Sequence, residues 1–211
     1  MSQTKVIITG AGGGGANNII TTIKERNDYF LIGFDISEYK VARANVDSRF
    51  VVPPASSPDY ETKISRIISE QKPELIIPTN DPEVEKLSEI RDRLETQLFF
   101  PDHESVALCL DKWKFYNFAI EKGIRMAETY HVESLDDVDG IFSKFDSDML
   151  WCRAIKGAGS KGATKVKDAD QAKWWIKYWN EMRGMKISDF TISEFLPGRD
   201  FACQSTWNNG E

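Results

Sequence analysis

Arg153, Lys156 and Lys161 bracket a run of small residues, Gly157-Ala158-Gly159-Ser160, that closes at Gly162. Glycines at this density let a backbone turn its N–H groups toward an anion, and the three cations add charge. Together they suit a chain of phosphates. The spacing is not that of a Walker loop, because no Lys-Ser/Thr pair follows at the right distance and no helix opens directly behind it. A solvated hairpin tip carrying surface lysines is the alternative. Farther on, Ser193-Glu194-Phe195-Leu196-Pro197-Gly198-Arg199-Asp200 runs from an extended segment through a Pro-Gly turn to a carboxylate. The extended part offers backbone N–H and C=O to the edge of a planar base, and Asp200 can accept both hydroxyls of a ribose. The alternative there is an ordinary turn with solvated acids. A second glycine run, Gly10-Ala11-Gly12-Gly13-Gly14-Gly15-Ala16, lies near the N-terminus, and Asp35 ends the next apolar segment. This is the pattern of a dinucleotide-binding turn with its ribose acid. Thr79-Asn80-Asp81 has two readings of equal weight: Asn80 and Asp81 hold a substrate, or they cap the helix starting near Pro82.

The first half of the chain alternates two periodicities. Lys5–Gly10, Phe30–Asp35, Phe50–Val52, Leu75–Pro78 and Leu98–Phe100 are short apolar runs of strand character. Ala16–Arg26, Asp59–Gln71 and Glu83–Leu94 show apolar residues at helical spacing between them. That alternation predicts βαβ units and a parallel sheet with helices on both faces. A boundary falls near Pro101–Leu110, giving two domains, residues 1–105 and 106–211. After the helix Asp111–Lys122, two strand–strand–helix passes follow. Strands are predicted at Met126–Val132, Met149–Ile155, Ala163–Val166, Phe190–Phe195 and Phe201–Trp207, with helices at Leu135–Phe145 and Asp168–Arg183. This second pattern predicts an antiparallel sheet with helices on one side. Asn208-Asn209-Gly210 is a hairpin-turn signal with no return strand behind it, so the chain is expected to be a fragment of a longer protein.

The chain has 211 residues, 27 Lys plus Arg against 33 Asp plus Glu, and a net charge of −6. An acidic balance argues against a general nucleic-acid binder. No apolar run reaches the ~18 residues that cross a membrane. No signal peptide is seen, and three scattered cysteines form neither a disulfide framework nor a metal knuckle, so a cytoplasmic location is expected. Cys109 and Cys152 sit in apolar runs and read as buried spacers; two histidines supply no zinc site or triad. Trp174, Trp175, Tyr178 and Trp179 form a broad stripe on one helix, read as core packing.

Taken in order, these motifs resemble the ATP-grasp superfamily, and within it proteins like the carbamoyl-phosphate synthase large subunit. The resemblance covers nearly the whole chain. Val6–Asn17 is similar to the glycine-rich opening of a pre-ATP-grasp domain, and Pro78-Thr79-Asn80-Asp81 to its loop after the fourth strand. Leu110-Asp111-Lys112-Trp113-Lys114 resembles the Asp-Lys helix entry, and Gly123–Thr129 a Gly-Ile-Pro-x-Pro-x-Thr segment in which Arg125 and Ala127 stand for the prolines. Arg153–Gly162 resembles the phosphate-loop strand, with Ala154 for the usual proline, and Glu194–Asp200 the adenine and ribose hinge.

The implied fold is α/β: a Rossmann-like pre-ATP-grasp domain with a parallel sheet, then the first α+β lobe of an ATP-grasp domain, the second lobe missing. The implied ATP-binding residues are Lys112, Arg153, Lys156, Gly157, Ala158, Gly159, Ser160, Lys161, Gly162, Glu194, Phe195, Leu196 and Asp200. Gly12, Gly13, Asn80 and Asp81 are the candidates for substrate binding. The implied chemistry is ATP-dependent phosphorylation of a carboxylate followed by capture with an amine. The cofactors would be ATP and Mg²⁺, with the Mg²⁺ ligands beyond residue 211, no metal site in this stretch and no turnover from it alone. The partners expected are small-molecule carboxylate and amine substrates, without nucleic acid or membrane, and a homodimer is compatible with this reading. Two other readings stay open. One is an NAD(P)-binding oxidoreductase or epimerase resting on Gly10–Gly15 and Asp35; the other is a non-catalytic nucleotide-binding module.

Overall fold

The computed structural model describes residues 3–203 and 205. The chain divides into two compact units, Met1–Phe115 and Tyr116–Glu211. In the first, strands β1 (Thr4–Ile8), β2 (Tyr29–Asp35), β3 (Ser48–Val51), β4 (Leu75–Ile77) and β5 (Gln97–Leu98) form one sheet in the order β3-β2-β1-β4-β5. Every pairing in it is parallel. Parallel neighbours require crossovers, and helices α1 (Gly14–Lys24), α2 (Glu38–Ala42), α3 (Tyr60–Gln71) and α4 (Asp81–Ile90) supply them. The central strands are apolar on both sides because both faces are covered. On one face Ile7, Ile32, Phe34 and Ile76 meet Tyr60, Ile64, Ile67 and Ile68 of α3; on the other Val6, Ile8 and Leu31 meet Ala16 and Ile20 of α1. Each fully buried side chain of this size contributes about 1.5–3 kcal/mol.

The α3 pattern i, i+4, i+7, i+8 is one stripe of a helix, and Lys72, at φ +51°, ends it in the left-handed region. Helices α5 (His103–Leu110) and α6 (Lys112–Glu121) follow β5. Thus the stretch Pro101–Leu110, read as a boundary, is mostly helical, with Asp102 capping α5 through Ser105 N–H at 2.8 Å.

In the second unit, β6 (Thr129–Val132), β7 (Leu150–Ala154), β8 (Thr164–Val166) and β9 (Phe190–Glu194) form an antiparallel sheet in the order β6-β9-β7-β8. Helices α7 (Asp137–Phe142) and α8 (Ala169–Arg183) cover one face. There Leu150, Cys152, Ala154, Phe190 and Ile192 pack with Val138, Ala172 and Ile176. Asp168 caps α8 by accepting Gln171 N–H at 2.8 Å, and Gly184, at φ +69°, ends it, its N–H reaching Asn180 O at 3.1 Å. The expected fold class is therefore observed in both units.

Three sequence expectations are corrected. Phe201–Cys203 are not strand, and Phe201 is 86% exposed. β9 is an interior strand paired on both sides, so a segment folding back after the Pro197-Gly198 turn finds no open ladder beside it. Trp207 and the turn signal Asn208-Asn209-Gly210 lie outside the described residues. Cys109 is exposed rather than buried. The aromatic stripe of α8 is split: Ala172 and Ile176 face the core, while Trp174 is 64% exposed. No helix among the described residues is long and apolar enough to cross a membrane.

Candidate functional site

Arg153 lies near the end of β7, directly opposite Thr191 of β9. Trp151, two residues earlier, pairs with Ser193 on β9 and Lys165 on β8. Paired residues share a face of the sheet, so Arg153, Trp151, Lys165, Thr191 and Ser193 line the face away from α8. This face is polar, with Thr191 and Ser193 buried. Their hydroxyls bond weakly to Arg153 O and Trp151 O, at 3.5 and 3.4 Å.

The Nε of Arg153 is buried and has no hydrogen-bond partner. Burial also pulls its guanidinium below its usual pKa. A buried cationic donor without an acceptor is costly, and an anion at that atom would remove the cost.

Behind Arg153 the chain leaves β7 and returns as β8 through the loop of the sequence motif. Gly157, Gly159, Ser160 and Gly162 all take positive φ, at +116°, +66°, +58° and +71°. Four positive-φ residues within six positions turn the chain sharply between β7 and β8. The tip, Lys156–Lys161, is exposed, and its base is pinned at Gly162. Gly162 O accepts Ala154 N–H at 3.0 Å and the Trp175 indole N–H at 3.2 Å. A Cβ on Gly162 would stand 2.9 Å from Ala154 Cβ, so the anchor itself requires glycine. Cys152, beside Arg153 in sequence, is buried with its thiol pushed up to about 12, and is no nucleophile.

Glu194 closes the ladder of β9, and its N–H donates to Glu128 O at 2.9 Å. Phe195 and Leu196 follow the last paired residue; Phe195 packs near Trp151, with 6.3 Å between ring centroids, under Lys165 Nζ at 4.4 Å. Leu196 is 64% exposed, and Glu194 and Asp200 are exposed. The fold places Arg153 and the 156–162 loop at one end of β7 and the Glu194–Leu196 segment beside its other end, since Ala154 pairs with Phe190 and Leu150 with Glu194, with Asp200 farther along an irregular segment.

The first unit holds the remaining candidates. Gly12, Gly13, Asn80 and Asp81 lie past the C-terminal ends of the adjacent strands β1 and β4, the edge at which parallel sheets bind ligands. Lys112 opens α6, whose start is capped by Asp111 accepting Lys114 N–H at 2.9 Å. Asn80 caps α4 by accepting Glu83 N–H at 3.1 Å, and its amide donates to the Glu83 carboxyl. Both oxygens of the buried Asp35 are engaged by backbone: one accepts Gly12 N–H at 3.1 Å and the other Ser37 N–H at 3.0 Å.

Glu83 was not foreseen from the sequence. It is buried, and its second oxygen accepts the Tyr60 hydroxyl at 3.2 Å. Burial, then Glu83, pushes the Tyr60 hydroxyl well above its usual pKa. The Asn80-x-x-Glu83 spacing of a capping box was the available signal. Tyr60→Phe is expected to lower the stability of the protein by about 1–2 kcal/mol, read as a shifted urea midpoint with an unchanged slope. An unmoved midpoint would show that the Glu83 carboxyl finds another donor.

Among the described residues, no group of His, Cys, Asp and Glu could hold a metal ion.

Residues 6–98 match the family model of the PylC-like N-terminal domain. No curated protein matches the chain. The chain is similar to the biotin carboxylase domain of Hydrogenobacter thermophilus 2-oxoglutarate carboxylase, at 13% identity and a TM-score of 0.66, over 93% of this chain and 45% of that one. It is similar to Staphylococcus aureus N5-carboxyaminoimidazole synthetase complexed with ADP, at 13% identity and a TM-score of 0.69, over 93% and 48%. It is also similar to Bacillus licheniformis L-amino acid ligase, at 12% identity and a TM-score of 0.70, over 94% and 45%. These structures are ATP-grasp ligases, and at such identity the likeness is one of fold. The chain spans about half the length of the solved structures it matches.

Proposed function

We propose that the whole protein is an ATP-dependent ligase that joins a carboxylate to an amine, and that this chain contributes the surface that receives the nucleotide. The observation that carries the reading is the buried, partnerless Nε of Arg153, near the end of the strand that leads into a loop of positive-φ residues. Support comes from the ADP complex of one neighbour and from the L-amino acid ligase named in another. The motif order also supports a branch like the carbamoyl-phosphate synthase large subunit.

In this reading Arg153 neutralises the phosphates and fixes their register. The N–H groups of Gly157–Gly162, with Lys156 and Lys161, fold over the outer phosphates and exclude water. The backbone of Phe195 and Leu196, beside Glu194, holds the adenine edge, and Asp200 accepts the ribose hydroxyls. The proposed chemistry moves the terminal phosphoryl group to a carboxylate oxygen and releases ADP. The amine then attacks the acyl carbon, and phosphate and a proton leave. Such transfer depends on positioning and charge neutralisation. We place Mg²⁺ ligands in the length of the neighbours that this chain does not span.

Asp35 weighs against the dinucleotide alternative, because both its oxygens already serve the loop and the α2 entry. Calorimetric titration of the full-length protein with Mg-ATP, and separately with NADH, tests the reading. ATP is expected to bind with micromolar affinity and NADH not at all. Binding of NADH without ATP would overturn it.

A further inference from the structure

Helix α8 turns an apolar stripe away from the core. Trp174 is 64% exposed and Met182 66%, and Trp174 stacks on Tyr178 at 5.8 Å between ring centroids. Steps of four residues keep Trp174, Tyr178 and Met182 on one helix face. Trp174 stands as a ridge between two hollows of about 440 Å³ each. Strand β8 and Trp175 wall the first; Lys177, Tyr178, Glu181 and Met182 wall the second. Soluble chains seldom leave contiguous apolar surface of this kind uncovered.

Shape and charge on this face both select a second copy of the same chain. A ridge flanked by hollows complements itself across a two-fold axis. With two α8 helices antiparallel, Trp174 of one copy enters the Lys177–Met182 hollow of the other and meets the Met182 thioether, a favourable sulfur–aromatic contact. Lys177 and Glu181 flank the stripe one turn apart, and among the described residues neither is engaged in an ion pair. Antiparallel pairing sets Lys177 of each copy against Glu181 of the other, twice per dimer, and opposes the two helix dipoles. We propose that this face of α8 is an isologous homodimer interface, with Trp174 as its central anchor and the Lys177–Glu181 pairs fixing its register. The interface centres on α8, which covers the face of the sheet opposite Arg153, and its first hollow reaches the edge strand β8 and Trp175, whose indole holds Gly162 O.

Sedimentation velocity of the full-length protein over a concentration series tests the proposal. A reversible monomer–dimer equilibrium is expected. Trp174→Ser, at an exposed position that the fold tolerates, weakens association by about tenfold or more. Lys177→Glu and Glu181→Lys each shift the equilibrium toward monomer, and the double variant K177E/E181K restores it. A wild type that stays monomeric overturns the proposal, whether radical footprinting finds Trp174 open or shielded by another part of the chain. So does a dimer that Trp174→Ser leaves unchanged, or a double variant no better than its parents.

Discussion

Arg153→Met is expected to separate ligand binding from stability. In the full-length protein the variant should bind ATP about 10- to 100-fold more weakly, the range for losing a charge-assisted hydrogen bond in a buried setting. Without nucleotide it should be as stable as the wild type or more so by about 1 kcal/mol, because it replaces a desolvated cation whose Nε lacks a partner with an apolar chain of similar volume. Calorimetry reads the first effect and urea unfolding the second. A merely structural arginine would give the opposite pair, unchanged affinity and lost stability, and that outcome would remove Arg153 from the nucleotide site. Arg153→Lys should recover part of the affinity through its charge, though not the forked geometry of the guanidinium.

Gly12→Ala should destabilise the protein by about 3 kcal/mol or more, the upper range for overpacking. An added Cβ would stand 2.4 Å from Lys40 Cβ and 2.7 Å from both the carbonyl carbon and oxygen of Lys40. Two of those three atoms are backbone near the end of α2, so relief requires moving the helix. The same shift would break the bond from Gly12 N–H to Asp35. Gly14→Ala supplies the control: nothing lies within 4 Å of its Cβ position. It should be neutral or slightly stabilising, since alanine is the better helix former. Thermal unfolding of the two variants side by side checks the contrast; equal melting temperatures would mean that the loop yields freely.

The alternation of strands and helices was readable because the parallel strands are apolar on both faces and the helices between them are amphipathic. Helix α2 escaped because five residues are too few to display a period. Helix α5 escaped because its one buried side chain, Val106, gives no stripe. On α8 the error was one of phase: adjacent tryptophans read as one apolar face, yet the helix buries Ala172 and Ile176, which leaves Trp174 outside. The phosphate-type loop was legible as chemistry from its glycines and cations. The unmet Nε of Arg153 was not, because a partner's absence depends on which strands flank β7. Asp35 shows the same limit from the other side. An acid at the end of a second strand has one appearance in sequence whether its oxygens serve a sugar or two backbone N–H groups.

The order in which strands leave the ribosome is not the order in which they sit. In the first sheet β1 lies between β2 and β4, so Val6–Ile8 can pair on one side early but must wait for Leu75–Ile77 on the other. In the second sheet β9, the last strand described, is the one that joins β6 to β7. A nascent chain therefore carries an open, apolar edge on β1 until β4 adds beside it, and β6 and β7 stay unjoined until β9 slots between them. Slow translation or scarce chaperones would act on this protein through those two late pairings, long before any finished surface is at stake.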